Sequence, residues 1–202
     1  MNGARPHSRY AALERRLPAR LRRHVLHFEA SIEDAVRRLA SELPDGARVL
    51  DAGAGEGRYR AHFTRQRYTG VDLAVGDARW DYGDLECLAD LAALPFAPSS
   101  FAACLCIVTL EHVREPASVI REMAGALGPG GQLLLVVPHE WEVHQAPHDY
   151  YRFTRYGVIH LLEGAGFIAI RVLPAGGYFR LLSRRLLNGL QFFRGLWKLP
   201  AA

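Results

Sequence analysis

The run "RVLDAGAGEGRY" (residues 48–59) constrains this chain more than any other stretch. A short apolar segment ends in Asp51, and glycines follow at positions 53, 55 and 57. Such a segment reads as a buried strand, and the glycines after it admit positive φ and expose backbone N–H groups with no Cβ in the way. A strand that runs straight into a loop of this kind brings a ligand against backbone at its carboxyl end, where open α/β sheets bind nucleotide-type ligands. The spacing is G-x-G-x-G. Arg58, Tyr59 and Arg60 stand where the dinucleotide pattern G-x-G-x-x-G needs its last glycine for helix–strand packing, so the ligand need not be a pyrophosphate.

The rest of the chain alternates short apolar runs with helical segments. Strands are predicted at 47–51, 68–72, 84–89, 101–108, 131–137 and 167–173, and helices at 31–43, 57–66, 116–127 and 154–165. In "SIEDAVRRLASEL", Ile32, Val36, Leu39 and Leu43 recur at helical spacing behind Ser31, a candidate N-cap. "LGPGG" (127–131) and "GAGF" (164–167) are stop signals ahead of the fifth and sixth strands. This alternation predicts an α/β fold, a Rossmann-like doubly wound, mostly parallel sheet with helices on both faces. No convincing seventh strand follows residue 177. The expected organisation is an N-terminal helical cap over 1–45, the ligand-binding domain over 46–177 and a tail over 178–202.

Two further acids narrow the ligand. "YTGVDL" puts Asp72 at the end of the second strand, about 20 residues past Asp51, where a carboxylate can accept both hydroxyls of a ribose. "ADLAALPFAPSSF" puts Asp90 at the end of the third, ahead of Leu94, Pro95 and Phe96, where a carboxylate can accept from an exocyclic amine while apolar side chains sandwich a purine. Three acids on three successive strand ends make a pattern that a lone glycine-rich turn does not.

Taken together, "VLDAGAGEG", "YTGVDL", "ADLAALPFAPSSFA", "LEHVREP" and "GALGPGGQLLLVVP" resemble the successive motifs of the class I S-adenosylmethionine-dependent methyltransferases, in particular the type-11 family, over about residues 46–173. The resemblance implies S-adenosyl-L-methionine as cofactor. Gly53, Gly55 and Gly57 would approach its methionine and ribose, Asp51 would help hold the amino acid moiety, Asp72 the ribose hydroxyls and Asp90 the adenine amine. Leu73, Leu91 and Thr109 would complete the cofactor site. The implied activity is methyl transfer by in-line displacement to a small-molecule, glycan or lipid-linked acceptor, with oxygen the expected atom. Two other readings stay open: a catalytically inactive S-adenosylmethionine-binding partner subunit, and a nicotinamide-dependent oxidoreductase.

A hydroxyl acceptor needs a base, whereas a carboxylate or thiolate does not. Glu111 and His112 of "LEHV" follow the fourth strand, and "PHEWEVHQAPHDYYRFT" (138–154) follows the fifth with His139, His144, His148 and Asp149 among aromatics. The expected catalytic residues are His148, oriented by Asp149, and His112. The "HDYYRFT" segment is expected to close over the acceptor, with Trp80 and Tyr82 as further candidates for its wall. No metal is expected, because His139, His144 and His148 share no regular face and no cysteine joins them.

Charge and composition exclude several classes. Half the residues are hydrophobic and 23% charged, as in ordinary globular domains. Cys87, Cys104 and Cys106 are too few and wrongly spaced for a disulfide framework and read as reduced thiols. With no apolar run of about 18 residues and an Arg-rich start unlike a signal peptide, a cytoplasmic protein is expected. The net charge of +4 hides an acidic middle between basic ends: residues 1–28 hold seven Arg against Glu14 alone, and residues 178–202 hold five basic residues and no acid. That distribution argues against a nucleic-acid groove across the core. "YFRLLSRRLLNGLQFFRGLWKLP" reads as a basic amphipathic helix, with Arg180, Arg184, Arg194 and Lys198 on one face and Phe179, Leu182, Leu186, Leu190, Phe193 and Trp197 on the other. Arg185 sits at the edge of the apolar arc. Peripheral contact with the inner face of a membrane is the expected use, with packing on the sheet or a homodimer contact as alternatives.

Overall fold

The structure, a computed structural model, describes residues 26–76 and 80–189. Two compact units are present: one comprises residues 32–172, and the other joins the described residues up to Ser31 with those from Leu173 onward.

The larger unit is built on five strands, β1 (Arg48–Ala52), β2 (Arg67–Asp72), β3 (Cys87–Leu88), β4 (Phe101–Ile107) and β5 (Leu127–Val136). All pair in parallel, in the order β3-β2-β1-β4-β5. The chain winds outward from β1 to β3 and then returns to place β4 beside β1. The crevice between the carboxyl ends of β1 and β4 is therefore the switch point of the sheet. Burial explains the apolar runs: β4 buries six of its seven residues and β1 all but Arg48, as central strands covered on both faces must.

Helix α1 (His27–Glu42) buries Ile32, Val36, Leu39 and Ala40 at the predicted spacing. It starts four residues before Ser31, whose hydroxyl donates to the His27 carbonyl at 2.8 Å inside the helix, so Ser31 is not the N-cap. At the other end the buried Gln66 amide donates to the Ala40 and Leu43 carbonyls, both at 3.2 Å, filling acceptors the helix itself leaves open. Helices α2 (Pro116–Ala126) and α3 (Arg155–Gly164) match their predicted bounds closely, with Pro at the start of α2 and the Thr154 hydroxyl capping α3 by accepting from Gly157 N–H. Their buried residues Val119, Ile120, Met123, Val158 and Leu162 share one core with Leu50, Cys104, Cys106 and Phe153.

Four expectations are corrected. The helix predicted over 57–66 is a turn with only a short 3₁₀ segment at Arg60–His62, because Gly57 takes a left-handed φ of 71° and too little chain remains before β2 for a full helix. The strand predicted over 84–89 contracts to Cys87–Leu88, because Glu86 Oε2 takes the Gly70 N–H at 2.7 Å, replacing a ladder bond with a side chain. "LGPGG" does end α2, yet β5 already pairs Leu127 with Phe101. The intervening glycines bulge outward before Gln132 meets Ala103. The sixth strand is absent among the described residues: Phe167, Ile170 and Val172 pack against the core, but Ala169 adopts φ 54° and breaks the alternation that a ladder requires.

In the smaller unit, α4 (Tyr178–Gly189) realises the first half of the predicted tail helix. Its Arg184 donates to Glu29 Oε1 at 2.9 Å and is only 12% exposed, so this arginine is withdrawn from the basic face assigned to it. Phe179, Leu182 and Leu186 are exposed at 81%, 42% and 64%. Leu190, Phe193, Arg194, Trp197 and Lys198 lie outside the described residues. No described helix is long and apolar enough to cross a membrane.

Candidate functional site

The glycine loop leaves β1 with all three predicted glycines in the left-handed region, at φ 87°, 54° and 71° for Gly53, Gly55 and Gly57. At Gly53 the reason is a close approach: a Cβ there would meet Thr109 Cγ2 at 2.2 Å. Thr109 Oγ1 donates to Gly53 O at 3.3 Å, so the loop after β4 is fastened to the loop after β1 across the switch point. Thr109 reaches that position because Val108 takes φ 53°, a conformation that strains a β-branched residue and turns the chain sharply at the end of β4.

The predicted acids gather at the same edge. Asp72 Oδ2 accepts from Gly55 N–H and Oδ1 from Ala74 N–H, both at 2.9 Å, tying the end of β2 to the glycine loop. Each oxygen keeps acceptor capacity for ribose hydroxyls. Asp51 is buried, its Oδ2 accepting from the Tyr68 hydroxyl at 2.5 Å. Burial pushes its carboxyl up to about 7, the Tyr68 bond lowering it in part and the charge of Asp72 adding to the rise. Asp90 is exposed and accepts from Ala92 N–H at 2.9 Å in an Asx turn. Leu73 is 51% exposed beside Asp72, whereas Leu91 is 5% exposed and part of the core. Trp80 lies against Gly55 and Gly76, and the Tyr82 hydroxyl accepts from Gly76 N–H at 3.0 Å, so both rings pack on the loops beside the glycine turn. Left-handed glycines, carboxylates at the strand ends and an exposed leucine fit S-adenosylmethionine.

The other side of the crevice is the 3₁₀ turn Leu110–His112 and the loop 137–154. The loop is closed at its base by Phe153 N–H donating to Pro138 O, and it is fastened to the turn by Tyr150 and Tyr151 N–H groups on Glu111 O. Tyr151 also donates its hydroxyl to Arg114 O at 2.7 Å. Inside the loop, Arg152 donates to both oxygens of Asp149, at 2.6 and 2.9 Å, and to the carbonyls of Trp141, Glu142 and Tyr151. The Arg152 guanidinium holds the Asp149 carboxyl well below its ordinary range.

This network corrects one predicted pairing. Asp149 does not orient His148. It accepts from His144 N–H at 2.8 Å and lies 3.4 Å from His144 Nδ1, while His148 Nδ1 faces the Tyr150 hydroxyl at 3.2 Å. His148 closes a turn, its N–H donating to the Gln145 carbonyl at 3.0 Å, while Arg152 and the His144 N–H hold the Asp149 carboxylate, which separates the two side chains. His148 joins the turn instead through its backbone, its carbonyl lying 2.6 Å from His112 Nδ1. His139 faces Phe153 O at 3.1 Å and takes no part in the cluster.

The sequence reading did not foresee the grouping of Glu111, His112 and His144. Glu111 is fully buried, and burial pushes its carboxyl up to about 7, while desolvation pushes His112 down. His112 Nε2 and His144 Nε2 lie 3.7 and 3.8 Å from Glu111 Oε1. Thirty-three residues separate Glu111 from His144, and no spacing rule links them. Arg152 carried a weaker signal, an Asp-x-x-Arg spacing in "DYYR".

A family model described as "Methyltransferase domain" matches residues 21–169. A ubiquinone biosynthesis O-methyltransferase of Chromobacterium violaceum is 30% identical over 162 residues, covering 66% of this chain and 69% of that protein. One of the same name from Xanthomonas campestris pv. campestris is 38% identical over 104 residues, covering 45% of this chain and 42% of that protein. The chain thus spans about two fifths of the length of such Xanthomonas relatives. Among solved structures, a Haemonchus contortus phosphoethanolamine N-methyltransferase 2 in complex with S-adenosyl-L-methionine superposes with a TM-score of 0.59 at 20% identity, over 83% of this chain and 45% of that one, a likeness of fold. The chain belongs to the methyltransferase-domain family, within the class I Rossmann-like enzymes whose cofactor is S-adenosyl-L-methionine.

Proposed function

We propose that this chain transfers the methyl group of S-adenosylmethionine to a hydroxyl oxygen of a small-molecule, glycan or lipid-linked acceptor held between the glycine loop and the loop 137–154. The observation that carries the reading is the fastening of the glycine loop to the strand ends on both sides of it, Asp72 to Gly55 and Thr109 to Gly53, within a few residues of the turn that carries Glu111 and His112. The two relatives named as O-methyltransferases support oxygen as the atom methylated.

When bound, the cofactor supplies an electrophilic methyl on a cationic sulfonium, so the protein's task is alignment, exclusion of water and removal of a proton. In this reading Asp72 accepts the ribose hydroxyls, Asp90 the adenine amine, and Asp51 adds negative potential toward the methionine end. Leu73 covers the adenine and Thr109 fixes the floor. His148 takes the acceptor's proton on Nε2, its Nδ1 being set by the Tyr150 hydroxyl. Asp149 acts at one remove, through Arg152 and His144. Replacing His148 by Ala should lower turnover by about 10²–10⁴ with cofactor affinity intact. Turnover equal to wild type would remove His148 from the reaction.

A peripheral membrane role is supported by one observation, the exposed apolar row Phe179, Leu182 and Leu186 on α4, in a segment whose charges are all positive. That combination fits an anionic lipid interface.

A further inference from the structure

Beside the crevice, three ligating groups converge on one point with their other contacts already satisfied. Glu111 is fully buried, and neither carboxylate oxygen has a hydrogen-bond partner among the described residues. Leaving a buried carboxylate without donors is costly, so the fold must gain something at that spot. His112 Nδ1 lies 2.6 Å from the His148 carbonyl, an acceptor only, so Nδ1 carries the proton and Nε2 presents a lone pair. That Nε2 is buried and unpartnered, 3.7 Å from Glu111 Oε1. His144 repeats the arrangement. Its Nδ1 lies 3.1 Å from the Glu142 carbonyl and 3.4 Å from Asp149 Oδ2, which again leaves Nε2 free to ligate, 3.8 Å from the same Glu111 oxygen.

We propose that Glu111, His112 and His144 form a divalent metal site. All three ligand atoms lie within 4.8 Å of one another. Bonds of about 2.0–2.2 Å to a common ion bring ligand atoms to about 3.2–4.2 Å apart, so a closure of several tenths of an ångström between the two imidazoles completes the set. The two rings already stand edge to face, 80° apart with centroids at 4.7 Å. Both imidazoles have the outer partners that fix a metal-binding tautomer: a backbone carbonyl for His112, and a carbonyl plus the Arg152-held carboxylate of Asp149 for His144. Two nitrogens and one carboxylate select a first-row ion such as zinc, iron or cobalt over magnesium or calcium, which prefer all-oxygen shells.

Three protein ligands leave at least one coordination position open. Thr109, which touches the glycine loop, is two residues before Glu111 in the chain, so the cluster adjoins the loop proposed to hold the cofactor. The site's use rests on the O-methylation reading: an ion held by these three residues would favour loss of the acceptor hydroxyl's proton, which His148 would take, and the oxygen would form its bond to carbon as the carbon–sulfur bond breaks.

The test separates binding from that use. The full chain without an affinity tag is stripped with chelator and titrated with Co²⁺, followed by its visible d–d absorption, and with Zn²⁺ by calorimetry, with neither cofactor nor acceptor present. One ion per chain is expected, with affinity at least tenfold weaker in His144→Ala and in Glu111→Gln and unchanged in His160→Ala, an exposed histidine on α3. Circular dichroism establishes that each variant is folded. If Glu111→Gln fails to fold, His144→Ala carries the comparison. No binding by the wild-type chain, undiminished binding by the folded cluster variants, or equal loss in His160→Ala would overturn the site. Methyl transfer that persists without the ion would overturn its use and leave the O-methylation reading standing.

Discussion

Asp72 and Asp51 sit within the same few ångströms of the switch point and do opposite things. Asp72 takes two backbone N–H groups and keeps acceptor capacity outward, whereas Asp51 is shut in with a single phenol. In the proposed role, replacing Asp72 by Ala would remove charge-assisted bonds to the ribose, a loss of about 1.5–3 kcal/mol. The dissociation constant for S-adenosylmethionine, measured by calorimetry, should rise at least tenfold. An unchanged constant would remove the role assigned to Asp72. For Asp51, a carboxyl raised to about 7 from 3.8 means the folded state holds the proton more tightly than the unfolded chain. Its contribution to stability is present below the unfolded value and is lost as pH rises through the folded one, so it weakens the fold progressively between those limits. In Asp51→Asn that dependence is gone. Urea midpoints should therefore favour the variant more at about pH 8 than at about pH 5 relative to wild type, and parallel pH curves for the two proteins would contradict the assignment. Both acids were legible from their strand ends. The meeting of Glu111 with His144 was not, because it depends on where an irregular loop folds back.

At the level of elements, periodicity succeeded where one face of a segment is buried. α2 and α3 fell within a residue of prediction, and β1, β2 and β4 were visible as apolar runs. It failed where a neighbour decides the outcome. The segment 167–172 has the composition of a strand but no partner ladder among the described residues, and Gly57 stops a helix that the β-α-β rhythm calls for. In α4 the helix was read over its described half, but the pairing of Arg184 with Glu29, which takes that arginine off the basic face, could not be, since 155 residues separate them. The apolar row on α4 gives the next prediction. Substituting Phe179 and Leu186 by Ser, both exposed at the surface, should reduce co-sedimentation of the full chain with phosphatidylglycerol vesicles while leaving thermal unfolding unchanged. Each basic residue near such a surface contributes roughly 1 kcal/mol, and that share should fade at high salt. Equal sedimentation of variant and wild type would make α4 a packing or dimerisation helix and shift the acceptor toward soluble compounds.

For the whole molecule, the sheet order puts Asp51 and Asp72 on one lip of a crevice and a histidine-rich loop on the other, with Thr109 and Gly53 joining the two. The fold alone hosts many chemistries, so the methyl transfer rests on the site and the family together. The most direct test is to incubate the full chain with S-adenosylmethionine carrying a trideuterated methyl group and with fractionated metabolite and lipid extracts, and to follow products by mass spectrometry. The account predicts S-adenosylhomocysteine and, in equal amount, an acceptor bearing the deuterated methyl on oxygen. Tight cofactor binding with neither product in any fraction would contradict it, and would mark the chain as a cofactor-binding partner subunit instead.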